Sequence, residues 1–194
     1  MNLSATELRN DSVVHQVADA LRVAQLDPGG LTLEITETAL MGDLDAAAGR
    51  LGELKSLGVQ IAVDDFGIGH SSLRYLKQLP LDNLKIAKPF VDEIGKPDAE
   101  PPILRAILDL ADVFGLAAVA EGIEEPEQAS RLVELGCALG QGHHLSEALT
   151  AQAADDLILH AGFGTDAPAV LPPATDEDEA ATRSSSEDGP AAAN

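Results

Sequence analysis

Apolar and polar positions along the chain follow two periods in turn. Leu31-Thr-Leu-Glu-Ile35 reads as a strand. Over residues 43–57 the apolar positions Leu44, Ala47, Ala48, Leu51 and Leu54 recur at helical spacing, and Gly58 supplies the stop. Residues 60–64 read as the next strand, 71–79 as a helix ended by Pro80, and 83–87 as a strand. A Pro-rich link then leads to a helix over 102–114, stopped by Gly115. An apolar strand follows at 116–120, and Pro126 opens a helix to residue 135 from a favoured first-turn position. A short strand at 137–140 and a helix at 150–160 complete the pattern.

Apolar strands that alternate with helices imply a parallel sheet, either a barrel or an open doubly wound sheet. No Gly-x-Gly-x-x-Gly run opens a helix, which weakens the dinucleotide-fold option. Glu34, Asp64, Lys85, Glu121 and Gln141 each fall at or near the C-terminal end of a strand. Five strands that deliver polar groups to one rim describe a (β/α) barrel, whereas an open sheet collects them at one switch point. The expected fold is therefore α/β, a TIM-like barrel. A full barrel has eight strands and ~250 residues. Five strands are legible here, with Asn2-Leu3-Ser4 as the last residues of a sixth, so the barrel reads as incomplete at its N-terminus. Residues 1–163 form this partial domain. From 164 to 194 the chain turns to Pro, Ala, Ser, Asp and Glu, with no large apolar residue after Leu171. Such a segment cannot bury enough surface to offset chain entropy and reads as a disordered acidic tail.

Charge narrows the partners. The 194 residues carry a net charge of −21; seven Asp and Glu against Arg183 put −6 on the last 30 residues and leave −15 on the rest. That field repels nucleic-acid polymers and anionic membranes, because backbone binding rests on Lys and Arg. An anionic substrate would need local positive charge, for which bound metal ions are the obvious source. A single cysteine, Cys137, excludes an intramolecular disulfide and suits a reducing compartment. With no apolar leader and no apolar run near ~18 residues, the chain reads as soluble and cytoplasmic.

Chemistry concentrates at Asp64 and Asp65, which end an apolar strand and precede Phe66-Gly-Ile-Gly69. Adjacent carboxylates in a partly dry site raise one another's pKa unless a cation offsets them. Hard divalent cations bind such oxygen ligands, and the glycines let backbone approach a ligand. His143-His144 looks like a metal pair, but neighbours on a strand face opposite ways, so these two are not read as ligands.

Six stretches resemble the EAL-domain family of bacterial cyclic di-GMP phosphodiesterases. They are Asn2-Leu-Ser-Ala5, Leu33-Glu-Ile-Thr-Glu37, Asp64-Asp-Phe-Gly-Ile-Gly-His-Ser-Ser72, Leu84-Lys-Ile86, Ala120-Glu-Gly122 and Gly140-Gln-Gly142, in family order. The resemblance implies Asn2, Glu34 and Asp64 as ligands to one ion. Asp64 would bridge to a second, with Asp65 and Glu121 nearby. All are oxygen donors, the preference of Mg²⁺ or Mn²⁺. Two such ions can clamp the attacking and leaving oxygens of an in-line phosphodiester displacement. Lys85 matches the lysine that contacts the attacking water, and Lys85 or Glu121 is the base. Glu124 and Gln141 match site-lining positions. Glu37 matches the residue that anchors the loop 66–72, with Gly67 and Gly69 in it. That loop couples the site to dimerisation in the family, so it implies a homodimer.

The match has departures. The Glu-Ala-Leu that names the family lies on an earlier strand; Glu147-Ala148-Leu149 follows the last strand and reads as coincidence. Ala87 stands where the family usually has Asp, which removes a carboxylate near the lysine. Ile68, His70 and His143 replace residues that are commonly Thr, Tyr and Tyr. The expected function is two-metal hydrolysis of cyclic di-GMP to linear pGpG. The alternative is a degenerate domain that binds the nucleotide or a protein partner without turnover. A third reading, an enolase-like Mg²⁺ barrel enzyme, is disfavoured by the loop 66–72.

Overall fold

The computed structural model describes residues 1–40, 44–69, 73–94 and 101–161. Five strands, β1 (Thr32–Thr36), β2 (Gln60–Phe66), β3 (Asn83–Ile86), β4 (Ala117–Glu121) and β5 (Leu139–Gln141), lie side by side in chain order. Every pairing is parallel. Strictly sequential order is barrel order, since a doubly wound sheet reverses at its switch point. The five strands are thus a partial barrel. The helices are α1 (Ala5–Leu8), α2 (Val13–Ala24), α3 (Glu37–Leu40), α4 (Leu44–Ser56), α5 (Leu73–Gln78), α6 (Lys88–Ile94), α7 (Pro102–Phe114), α8 (Pro126–Glu134) and α9 (Ala151–Ala161).

The core lies between the sheet and these helices. Leu33 and Ile35, Ile61 and Val63, and Leu84 and Ile86 are fully buried, one alternating set from each strand. Helices meet them with residues three and four apart: Ala47, Leu51 and Leu54 from α4, and Leu104, Ile107 and Ala111 from α7. The opposite sheet face carries Thr32, Glu34, Thr36, Gln60 and Asn83, all half-buried, and Gln60 accepts a hydrogen bond from the Asn83 amide at 3.2 Å. Asp82 pins the entry to this sheet. Its carboxylate accepts the Ile61 N–H at 2.8 Å and pairs with Lys55, its N–H reaches the Ile61 carbonyl at 2.8 Å, and its own carbonyl takes the Ala117 N–H at 2.9 Å.

The chain divides into two compact units, residues 1–141 and residues from 142 onward. In the second, His143 and His144 lie in a turn rather than on a strand, so strand alternation does not govern them.

Several expectations shift. The stretch after residue 87, expected as a Pro-rich link, begins as helix α6; Pro89 occupies its first turn, where an N–H has no partner to lose. Residues 5–24, for which the pattern gave no element, form α1 and α2. The signal for α1 was present, since Ser4 and Glu7 make a reciprocal capping box. The last strand lies nearer the C-terminus than expected, over Leu139–Gln141, because the Cys137 N–H still closes the end of α8 on the Leu132 carbonyl at 2.9 Å. The expected sixth strand is a single parallel bridge between Asn2 and Glu34, held by Leu3 N–H to the Glu34 carbonyl at 2.8 Å. The expected helix starts at 43 and 71, residues His70, Ser71 and Ser72, and the acidic tail at 164–194 lie outside the described residues.

Candidate active site

A single backbone irregularity builds the site. Val63 pairs with Leu84 and Phe66 with Ile86, so three residues of β2 advance against two of β3. This is a β-bulge, and it falls on Asp64 and Asp65. Asp65 has φ +55, a left-handed conformation that short polar side chains tolerate. Its N–H donates to Asp64 Oδ1 at 3.0 Å. Plain alternation would send the two carboxylates to opposite faces. With the bulge, oxygens of Asp64, Asp65 and Glu121 lie within 4.8 Å of one another.

Lys85 reaches the same place from β3. Its Nζ lies 2.6 Å from Glu121 Oε1, 3.0 Å from Glu34 Oε1 and 3.5 Å from Asp64 Oδ1, and the side chain is 7% exposed. Gln141 Nε2 donates to Glu121 Oε1 at 2.8 Å. Groups from all five strands therefore converge. Three carboxylates contact one ammonium, and Asp65 lies beside two of them, leaving the cluster strongly negative. Burial raises the Glu121 pKa above the ordinary carboxylate value; the Lys85 hydrogen bond opposes this, and the Asp64 and Asp65 charges add to it. For Lys85 burial works against the charge, but hydrogen bonds to Glu121 and Glu34 and the Asp64 field outweigh it. Its pKa is raised, and it is a cation at neutral pH.

The other expected positions fall around this centre. Asn2 stands beside Glu34 through the backbone bridge, and both line a cavity of ≈ 420 Å³ with Ser4, Thr36 and Thr38. A cavity of ≈ 470 Å³ among Leu108, Leu116, Ala117, Leu135 and Leu139 sits where β4 begins, at the opposite strand end, and holds none of the site residues. Glu37 is buried at the start of α3 against Gly69, where a Cβ would fall 2.9 Å from the Glu37 carboxyl carbon. Gly67 packs on the Phe90 ring. Glu124 stands apart from the lysine cluster, on the loop after β4, with its carboxylate 3.0 Å from Lys88 Nζ. Lys88 and the buried Gln128 hold that loop, and the sequence pattern did not single out either. Glu125-Pro-Glu-Gln128 has capping-box spacing with an unusual first residue, which was the available signal for Gln128.

The donor set fits a divalent cation. Three convergent carboxylates in a cluster with excess negative charge, all of them oxygen donors, suit a hard ion such as Mg²⁺ or Mn²⁺.

Comparison with known proteins places this geometry. The family model described as "EAL domain" matches residues 1–148. The chain belongs to the EAL domain family. Among curated relatives, the cyclic di-GMP phosphodiesterase NbdA of Pseudomonas aeruginosa is 40% identical over 158 residues. The match covers 81% of this chain and 20% of NbdA, so the chain spans about a fifth of that relative's length. MucR of the same organism, a bifunctional diguanylate cyclase/cyclic di-GMP phosphodiesterase, is 40% identical over 152 residues, 78% of this chain and 22% of that protein. The MucR phosphodiesterase solved as a c-di-GMP complex superposes with TM-score 0.74, covering 79% of this chain and 62% of that one. Klebsiella pneumoniae BlrP1, solved with manganese and cyclic di-GMP, superposes at 0.67 and 29% identity, covering 73% of this chain and 36% of that one. Among the described residues of this EAL chain, no helix is long and apolar enough to cross a membrane.

Proposed function

We propose that this EAL chain hydrolyses cyclic di-GMP to linear pGpG with two divalent cations, Mg²⁺ or Mn²⁺. The observation that carries the reading is the convergence of Lys85 with Glu34, Asp64 and Glu121 beside Asp65 at one strand-end rim. Asn2, Glu34, Asp64, Asp65 and Glu121 would hold the ions. When bound, these supply charge stabilisation for the phosphodiester oxygens and acidify water at neutral pH. Lys85, a fixed ammonium, orients the attacking water and offsets charge that develops on the phosphate. Glu121, held 2.6 Å from Lys85 Nζ, takes the proton. Gln141 keeps Glu121 turned toward that water through the 2.8 Å hydrogen bond. Glu124 and the loop anchored by Glu37 border the bound nucleotide.

Ala87 favours a second reading, in which the domain binds cyclic di-GMP without turning it over. It is 1% exposed and supplies no carboxylate beside Lys85. A hydrolysis assay with Mn²⁺, followed by chromatography for pGpG, separates the two. Turnover that falls by about 10² or more in Asp64→Asn supports the enzyme. Binding without pGpG selects the second reading, and turnover untouched by Asp64→Asn overturns the metal assignment.

A further inference from the structure

Glu124 is an exposed carboxylate on the four-residue loop between β4 and α8, a place where a side chain ordinarily samples many rotamers. Here every residue of the loop is held. Gly122 has φ +69 and lies against the Lys88 stem, where a Cβ would fall 2.5 Å from Lys88 Cγ. Ile123 is buried, and its N–H donates to the Gln141 carbonyl at 3.1 Å. The Glu124 and Glu125 N–H groups both donate to Gln128 Oε1, at 2.8 and 3.0 Å. Gln128 is 5% exposed, and its Nε2 donates to the Val91 carbonyl of α6 at 3.4 Å. Lys88, one turn before Val91 on α6, reaches Glu124 Oε2 at 3.0 Å and Asp92 Oδ1 at 2.7 Å.

We infer that Lys88 and Gln128 are positioning residues, which clasp the loop 122–125 to α6 so that Glu124 meets the substrate already oriented. Fold stability does not account for Lys88, because exposed ion pairs contribute little to it. Pre-ordering does, since a glutamate fixed before binding loses less rotamer freedom on contact with a ligand. The clasp also reaches the reacting end of the site: Ile123 is tied to the strand residue Gln141, whose amide holds Glu121. Lys88 thus acts on substrate binding through one carboxylate, and Gln128 acts on the whole loop.

The inference rests on the hydrolase reading, so its test has one arm that needs no turnover. In the first arm, amide hydrogen exchange is followed at Glu124 and Glu125. Gln128→Leu speeds exchange there by about ten-fold or more while strand amides keep their protection, and Gln128→Glu, which keeps the acceptor, restores slow exchange. In the second arm, KM and kcat for Mn²⁺-supported hydrolysis are measured for Lys88→Met and Glu124→Gln, singly and together. Lys88→Met raises KM about five-fold with kcat within about two-fold, and has almost no further effect once Glu124 is Gln. Additive KM effects, or a Lys88→Met change confined to kcat, overturn the role of Lys88. Unchanged exchange in Gln128→Leu overturns that of Gln128. If the wild-type chain makes no pGpG, the hydrolase reading fails by itself. The exchange arm then decides the role of Gln128, and the Kd for cyclic di-GMP, expected to rise about five-fold in Lys88→Met and unchanged if Lys88 has no such role, decides that of Lys88.

Discussion

At the residue scale the site is a problem in charge. Glu34, Asp64 and Glu121 contact Lys85 with Asp65 close by, and like charges so close destabilise a fold unless a cation sits among them. Lys85 is that cation when no metal is bound, with three carboxylates within 3.5 Å. Lys85→Met should therefore do two things. Hydrolysis should fall by about 10² or more. The metal-free protein should lose about 1–3 kcal/mol, read as a lower denaturation midpoint in EDTA, and Mn²⁺ should restore much of it. The pH dependence has a definite sign. The folded pKa of Lys85 is raised above 10.5, so its contribution is complete below pH 10.5 and is lost as pH rises through the folded value. The variant should lack that alkaline loss. Residue types made most of this centre legible in the sequence: strand-end Glu34, Asp64, Lys85, Glu121 and Gln141 do meet. Residue type could not reveal Gln128, because a buried amide within a helix reads as an ordinary polar position until its partners are known.

Elements explain what residue patterns could not. Alternation along β2 puts Asp64 and Asp65 on opposite faces, and only the bulge at that point reverses this. A bulge depends on register with the neighbouring strand, which period-two patterning does not encode. The same limit hid Asp82, which reads as a loop aspartate between Leu81 and Asn83 and ties β2 and β4 to the entry of β3. Helix α6 was missed for a local reason, since Pro89 and the prolines beyond it resemble a linker. By contrast α7, with its apolar spacing and glycine stop, was expected over the residues it occupies. Asp82→Ala removes the acceptor for the Ile61 N–H and the partner of Lys55. Thermal and denaturant unfolding should show a loss of about 1–3 kcal/mol. Because Asp82 lies at the strand ends opposite the carboxylate cluster, Mn²⁺ affinity of the folded variant should stay within about two-fold of wild type.

At the scale of the whole molecule, sheet edges and net charge oppose each other. The strand order leaves β5 at one end of the sheet, exposed at all three residues, with Leu139 45% exposed. The other end is β1, flanked only by the single bridge at Asn2 among the described residues. An uncovered strand edge is a template for pairing with another chain. A net charge of −21 on 194 residues works against such pairing by repulsion between copies. Repulsion of this kind reaches about 30 Å at 0.01 M salt but only about 3 Å at 1 M. Sedimentation velocity should therefore find a monomer at low ionic strength and a larger species as NaCl approaches 1 M. This is the reverse of an assembly held by ion pairs, which salt would dissolve. Leu139→Lys puts a charge on the β5 edge, the means by which natural edge strands avoid pairing. It should suppress the salt-driven species without changing Mn²⁺ affinity, because Leu139 starts β5 and lines the cavity at the strand ends opposite the carboxylate cluster. A larger species at low salt that dissociates at high salt would instead mean that association runs through charged surface rather than through the strand edge.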